Sequence, residues 1–263
     1  MIARMRDVCL CAAYSLLLGC SLWGPTRPPA SSVETRGQLV IECDVPLPAK
    51  DRLIAEIEQQ GPELSELLDL PTTTTPIHIY LFQDQTAYEQ FVAKHYPQFP
   101  QRRAFFLETD DRLAVYAHWG DNVADDLRHE ASHGYLHAAV PNLPLWLDEG
   151  LAEFFELGRQ RYGFHKAHLT LLNQELANGW RPDITRLEEI RSGAAMSQRD
   201  YAESWAWVHF LLRTTPDRRQ LLQNYLADLR KGKRPGPLSN RLASKHVEPE
   251  RTLVEHLQSL TTE

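Results

Sequence analysis

Two histidines four residues apart, with a glutamate directly after the first, are the residues best suited to chemistry. They are His129, Glu130 and His133, inside a segment whose apolar pattern predicts a helix at Val123–Ala139. Residues four apart on a helix lie on the same face, so both imidazoles can reach one metal ion. Glu130 sits one position round, where it can contact water held by that ion. The spacing indicates a metal-dependent hydrolase, which needs a third ligand.

A second segment, with sequence Trp146-Leu147-Asp148-Glu149-Gly150, follows at the start of another helical pattern. The two segments together resemble the gluzincin metallopeptidases, in which one helix carries HExxH and the next carries a glutamate ligand within Trp-Leu-x-Glu-Gly. The resemblance implies that Glu149 is the third ligand, that the metal is Zn²⁺ and that the substrate is a peptide bond. The short interval between the segments is more similar to compact peptidase-MA-like domains than to the large aminopeptidases.

The mechanistic hypothesis gives Glu130 the role of general base, which takes a proton from the attacking water and passes it to the leaving amine. Tyr201, near the start of a later predicted helix, is the candidate donor to the oxyanion. His209, eight residues further along the same helix, is the competing donor.

Other polar residues near the motifs have simpler interpretations. Glu153, four residues after Glu149, is either an acceptor that orients a histidine or a surface acid. Asp148 is interpreted as a first-turn acid stabilised by the helix dipole. His137 is interpreted as a helix-end histidine near the last carbonyls, because a catalytic zinc needs only three protein ligands.

The elements that must hold these residues form an α+β pattern, with strands and few helices first and helices alone afterwards. We predict a small mixed or antiparallel sheet in the N-terminal half packed on a mainly helical, zincin-like C-terminal half. Strands are predicted at Leu39–Val45, Pro76–Phe82, Ala104–Leu107 and Leu113–Ala117, the last either interior or an edge that binds an extended peptide. Helices are predicted at Lys50–Leu68, broken at Gly61 and Pro62, and at Thr86–His95, Val123–Ala139, Leu145–Arg159, Lys166–Asn178, Arg199–Arg213, Arg218–Lys231 and Glu248–Leu260.

The amino terminus has the pattern of an export signal. Arg4 and Arg6 precede an apolar run at Val8–Leu18, too short to span a bilayer comfortably, which ends in Leu-Leu-Gly-Cys at Cys20. This ending resembles the lipobox of bacterial lipoproteins, which implies that Cys20 becomes the lipidated first residue. The predicted organisation is a signal peptide at 1–19, a proline-rich tether at 20–37 and a single peptidase-like domain at 38–263, with folded structure from Gln38.

The composition and the cysteine positions limit the kinds of partner and cross-link that we expect. The 263 residues are 43% hydrophobic and 24% charged, as in ordinary folded chains, and the net charge of −7 argues against a nucleic-acid partner. Only Cys43 lies beyond the first twenty residues, so we expect no intramolecular disulfide in the body. We therefore expect a lipid-anchored peptidase of the bacterial cell envelope that acts on peptides or proteins. The alternatives are a non-catalytic binding or structural lipoprotein with this domain, and a zinc amidase for a non-protein amide.

Overall fold

The computed structural model describes residues 2–4, 32–47, 50–99, 101–158, 161 and 163–260. The chain divides into two compact units, which we call the sheet unit and the helical unit. The sheet unit comprises Met1–Glu58 and Thr74–Gly134, and the helical unit comprises Gln59–Thr73 and Tyr135–Glu263. Two helices, α1 (Lys50–Leu68) and α3 (Val123–Ala139), contribute residues to both units.

The sheet unit is built on a mixed sheet. Its described strands are β1 (Ile2–Arg4), β2 (Ser32–Arg36), β3 (Leu39–Cys43), β4 (Ile77–Phe82), β5 (Ala104–Glu108) and β6 (Leu113–His118). They lie in the order β1-β5-β6-β4-β3-β2. The neighbours β3, β4 and β6 are parallel, β5 is antiparallel to β6, and β2 is antiparallel to β3. The sequence left open whether β6 is an interior or an edge strand. The structure shows that it is interior, because it lies between β5 and β4.

Side chains alternate across the sheet and give one face an aromatic core. Tyr80 and Phe105 each stack on Tyr116, with ring centroids 4.9 Å and 4.8 Å apart. Helix α2 (Gln85–His95) covers this face with Tyr88 and Phe91. Large rings on adjacent strands bury much apolar area, which makes this cluster a major source of stability for the sheet unit.

The helical unit consists of helices that bury apolar stripes against one another. Its described helices, besides the ends of α1 and α3, are α4 (Leu145–Phe155), α5 (Lys166–Ala177), α6 (Ile184–Glu189), α7 (Gln198–Arg213), α8 (Pro216–Arg230), α9 (Leu238–Lys245) and α10 (Pro249–Leu260). Helix α7 is central to this unit, because Trp205, Trp207 and Phe210 on it are fully buried. A capping box formed by Ser197 and Asp200 fixes its first turn.

The α+β prediction is confirmed, with a mixed sheet in the first half and helices in the second. The prediction that α1 breaks at Gly61 and Pro62 is wrong, because the helix is continuous with Pro62 inside it. Gly61 instead allows close packing, since a Cβ there would lie 2.6 Å from the Tyr135 ring. Burial of Leu64 and Leu68 in the next turns helps to stabilise the helix beyond the proline.

The structure differs at the N-terminal boundary as well. Strand β2 occupies Ser32–Arg36, within the predicted tether, and pairs with β3 through a turn at Gly37, whose φ is +56°. Folded structure therefore begins before Gln38. The lipidation site predicted at Cys20 lies outside the described residues. Within the described part of the chain, none of the helices is long and apolar enough to cross a membrane.

Candidate metal centre

His129 and His133 lie one turn apart on α3, and their side chains meet. Their Nε2 atoms are 3.3 Å apart, and the ring centroids are 5.0 Å apart. Two ligand atoms bound to one tetrahedral zinc ion at the usual distances are roughly 3.3 Å apart as well. His133 is fully buried, whereas His129 is partly exposed. The pair is thus arranged as two neighbouring ligands of one metal ion would be.

The sheet holds this part of α3 in place. Gly134 lies so close to Ile77 of β4 that an added Cβ would be 2.8 Å from its Cγ2 atom. The His133 ring also faces Phe106 of β5, with centroids 5.9 Å apart. At the start of the helix, Arg103 donates two hydrogen bonds of 2.8 and 3.0 Å to Asp126. These contacts fix the backbone from which both histidines project.

Glu130 is buried beside the histidine pair, with 5% of its surface exposed. A buried carboxylate is costly unless it has a function or a partner, and the sequence places it between the two candidate ligands. Its charge is also felt by Tyr88 of α2: burial raises the pKa of the Tyr88 hydroxyl, and Glu130 adds to that rise. Glu130 is therefore a buried acid on the same helix as the histidines.

The proposed third ligand, Glu149, lies in the first half of α4, in the helical unit, and is fully buried. Its neighbour Asp148 accepts a hydrogen bond of 2.8 Å from Nε2 of His137, on the last turn of α3. Both members of this bond are only 1% exposed. The start of α4 is therefore joined to the last turn of α3, within the helical unit.

Asp148 lies in the first turn of α4 and His137 in the last turn of α3, as the sequence predicts, and this bond adds a role for each. Asp148 is a buried partner of a histidine as well as a first-turn acid, and the His137 side chain bonds this carboxylate. His137 and Asp148 are eleven residues apart and lie on different helices, so helical periodicity does not predict their contact. The intervening turn, with Asn142 at a φ of +57°, brings the two together.

Gly150, directly after Glu149, is required by the crossing of α4 and α7. A Cβ at this position would lie 2.5 Å from the carbonyl oxygen of Ser204 on α7. Only glycine lets the two helix backbones come so close. The Glu-Gly pair in the sequence thus combines a buried acid with a close helix contact.

The two candidate oxyanion donors both lie on α7. Tyr201 is buried near the start of that helix, with 6% of its surface exposed. His209 has Nδ1 at 2.9 Å from Nε2 of His256 on α10. Burial, with His256 and Arg213 adding to it, lowers the pKa of His209 to about 3, so its ring is neutral at physiological pH.

Sequence reasoning missed a histidine cluster at the junction of α4 and α5. Glu153 Oε2 lies 2.8 Å from Nε2 of His168 and 3.8 Å from Nε2 of His165. The prediction that Glu153 either orients a histidine or is a surface acid is thereby decided, and the histidine it orients is His168. The sequence did contain a signal for this cluster. His165 and His168 are three residues apart at the predicted start of a helix, and residues with this spacing lie on one face.

Groups of histidine and acidic side chains that could hold a metal ion are therefore present among the described residues. Their donor atoms, imidazole nitrogens and carboxylate oxygens, suit zinc and other first-row divalent ions.

Comparison with known families gives one match in this part of the chain. Residues 123–234 match a family described as Protein of unknown function (DUF1570). The matched stretch runs from the start of α3 to just beyond α8 and includes His129, His133, Glu149 and Tyr201. No curated protein matches the chain.

Proposed function

We propose that the protein is a zinc-dependent peptidase of gluzincin type, in which His129, His133 and Glu149 hold the metal ion. The observation that carries the proposal is the 3.3 Å separation of the two Nε2 atoms on a helix that also carries a buried glutamate. Neutral imidazoles and one carboxylate form the donor set of many catalytic zinc sites, which keep a fourth position open.

Support for Glu149 comes from its sequence and its own surroundings. It occupies the glutamate position of the Trp-Leu-x-Glu-Gly segment on which the resemblance rests, and its side chain is fully buried. A buried carboxylate stays charged only if it has strong partners, and a divalent ion is the strongest of them. The bond between Asp148 and His137 holds the preceding residue rigidly.

The roles of the remaining residues follow from their chemistry. Bound zinc would bring the pKa of its water near neutrality and polarise the substrate carbonyl. Glu130 then accepts a proton from the attacking water and delivers it to the leaving amine. The Tyr201 hydroxyl donates a hydrogen bond to the oxygen that gains negative charge. His209 stays the competing donor, with its Nδ1 atom hydrogen-bonded to Nε2 of His256.

The lipid anchor belongs to the same proposal. Lipidation of Cys20 would tether the enzyme to a membrane of the bacterial envelope, where its substrates would be peptides or proteins. Two or three acyl chains suffice for stable anchoring, whereas one is marginal.

The ligand set is tested by measuring zinc in the purified full chain by elemental analysis. The full chain is needed because β2 begins at Ser32, and truncation at Gln38 would remove it. We expect the His129→Ala, His133→Ala double variant to hold about one zinc per chain less than the wild type. We expect Glu149→Ala to weaken zinc binding as well, with circular dichroism to check that each variant is folded.

Peptide hydrolysis is measured on the same preparations with a peptide library. Hydrolysis by the wild type that disappears in the double variant supports a peptidase. Zinc binding without hydrolysis favours the binding or structural lipoprotein, and cleavage of non-protein amides alone favours the amidase. Equal zinc in the wild type and the double variant contradicts the proposed centre.

A further inference from the structure

We propose that Glu153, His165 and His168, which all belong to the helical unit, form a second zinc site that uses none of the ligands proposed above. Their donor atoms all lie within 4.8 Å of one another. The proposal does not depend on the peptidase function, because it uses a different set of ligands.

The donor atoms lie close to one another. Nε2 of His168 is 2.8 Å from Oε2 of Glu153, and Nε2 of His165 is 3.8 Å from the same oxygen. Glu156, one turn further on, places Oε1 3.0 Å from Nε2 of His165. Ligand atoms around tetrahedral zinc are roughly 3.3 Å apart, so small movements would bring these atoms onto one ion.

Local structure aims both rings at the same carboxylates. His165 is the N-cap of α5 and His168 lies in its first turn, so their rings stack with centroids 3.7 Å apart and an interplanar angle of 19°. Zinc bound to both Nε2 atoms would turn the two rings apart, because imidazoles on one tetrahedral ion have centroids roughly 5 Å apart. The two acids lie at the end of α4, three residues apart. The site is therefore built from the end of α4 and the start of α5.

A buried tryptophan supports the cluster from the side. The Trp205 ring is 5.8 Å from the His168 ring and 6.2 Å from the His165 ring. Its Nε1 donates a hydrogen bond of 2.8 Å to the carbonyl oxygen of Gly163, in the loop before α5. The apolar ring limits access of water to the histidines, and the hydrogen bond ties Gly163, two residues before His165, to α7. Rigid, partly dry surroundings strengthen metal binding by neutral imidazole and carboxylate.

The same atoms also form hydrogen bonds without a metal, which defines the competing explanation. In that case the cluster is only a tie between α4 and α5, and Nδ1 of His165 accepts a 3.3 Å hydrogen bond from the His168 amide. Zinc at Nε2 would place the ring proton on Nδ1 and displace this long bond. A tie between α4 and α5 needs only side chains that form hydrogen bonds. A zinc site needs the imidazole nitrogens as ligands.

The test begins from the His129→Ala, His133→Ala chain, which lacks the first pair of ligands. After saturation with Zn²⁺ and dialysis, we expect this parent to retain about one zinc per chain. Adding His165→Gln and His168→Gln, which keep hydrogen-bond donors but remove the imidazoles, should bring the zinc content close to zero. Adding His95→Gln on α2 instead is the matched control and should change nothing.

A second measurement keeps the proposal testable if the chain with His165→Gln and His168→Gln does not fold. Zinc should raise the thermal midpoint of the parent, because a ligand that binds the folded state stabilises it. It should not raise the thermal midpoint of the folded Glu153→Gln, Glu156→Gln variant. Those glutamines can still accept hydrogen bonds from both rings. A parent without zinc, or zinc retained after the glutamine changes, overturns the proposal. Failure of the peptidase centre alone would instead appear as equal zinc in the wild type and the parent.

Discussion

At the scale of single residues, Glu130 separates metal binding from catalysis. We expect Glu130→Gln to keep its zinc, because the side chain lies beside the ligands without being one of them. Hydrolysis should fall by about 10²- to 10⁴-fold in kcat/KM, since an amide cannot take up the proton. Zinc content and peptide hydrolysis are measured on the same preparation.

The matched control for this change is Glu89→Gln, on the exposed side of α2. It removes the same charge from the sheet unit and should leave both zinc content and hydrolysis unchanged. If Glu130→Gln loses as much zinc as His133→Ala does, Glu130 is a ligand and the assignment of roles is wrong.

The His209 and His256 pair gives a residue-scale prediction for pH. Burial is the main cause that lowers the pKa of His209 to about 3 and that of His256 to about 4, with charge from Arg218 adding at His256. Unfolded histidines take up protons near pH 6.5, so between pH 6.5 and about 4 the unfolded chain binds more protons than the folded one. The free energy of unfolding must therefore fall as the pH falls through this window.

We expect urea denaturation to give a free energy of unfolding lower at pH 5 than at pH 7 by on the order of 4 kcal/mol from this pair, about 2 kcal/mol from each histidine. The His209→Gln, His256→Gln variant should lose that part of the pH dependence, while His95→Gln should retain it. An unchanged pH slope in the double variant would mean that the pair does not carry the effect.

At the scale of elements, the crossing of α4 and α7 depends on Gly150. We expect Gly150→Ala to cost roughly 1–3 kcal/mol or more, because the new Cβ would lie 2.5 Å from a backbone oxygen that cannot rotate away. Gly158→Ala is the control, since a Cβ at that position meets nothing within 4 Å. Thermal unfolding of both variants measures the difference, and equal midpoints would contradict the close crossing.

The elements that the sequence predicts well are those with a clear apolar period. Helix α3 has the predicted bounds, and α4 and α5 begin at the predicted residues. Short elements were missed: α6 has six residues and α9 has eight, too few for a period to emerge. Strand β2 was missed because it lies beside a proline-rich stretch and has exposed positions such as Val33.

The sequence also predicts contacts of the candidate site within one helix better than contacts between helices. The His129 and His133 pair is local to one helix, so its spacing alone predicts that the side chains meet. The bonds from Asp148 to His137 and from Glu153 to His168 join residues on different helices, across turns whose path the sequence does not specify. Tertiary packing sets those pairs, and helical periodicity carries no information about them.

At the scale of the whole molecule, the proposed lipid anchor would decide where the protein acts. We expect full-length protein made in a bacterial host to sediment with membranes and to incorporate labelled fatty acid, and Cys20→Ala to abolish that incorporation. Cys43→Ala is the control, because that buried cysteine lies on β3. Labelled fatty acid in the Cys20→Ala chain equal to that in the wild type would contradict a lipid anchor at this residue.

The central claim is that His129 and His133 bind a metal ion, and zinc content per chain tests it most directly. Elemental analysis of the zinc-saturated and dialysed full chain is compared with the same measurement on the His129→Ala, His133→Ala variant. We expect the folded variant to hold about one zinc per chain less than the wild type. Equal zinc content in two folded proteins would contradict the metal centre and, with it, the proposed peptidase.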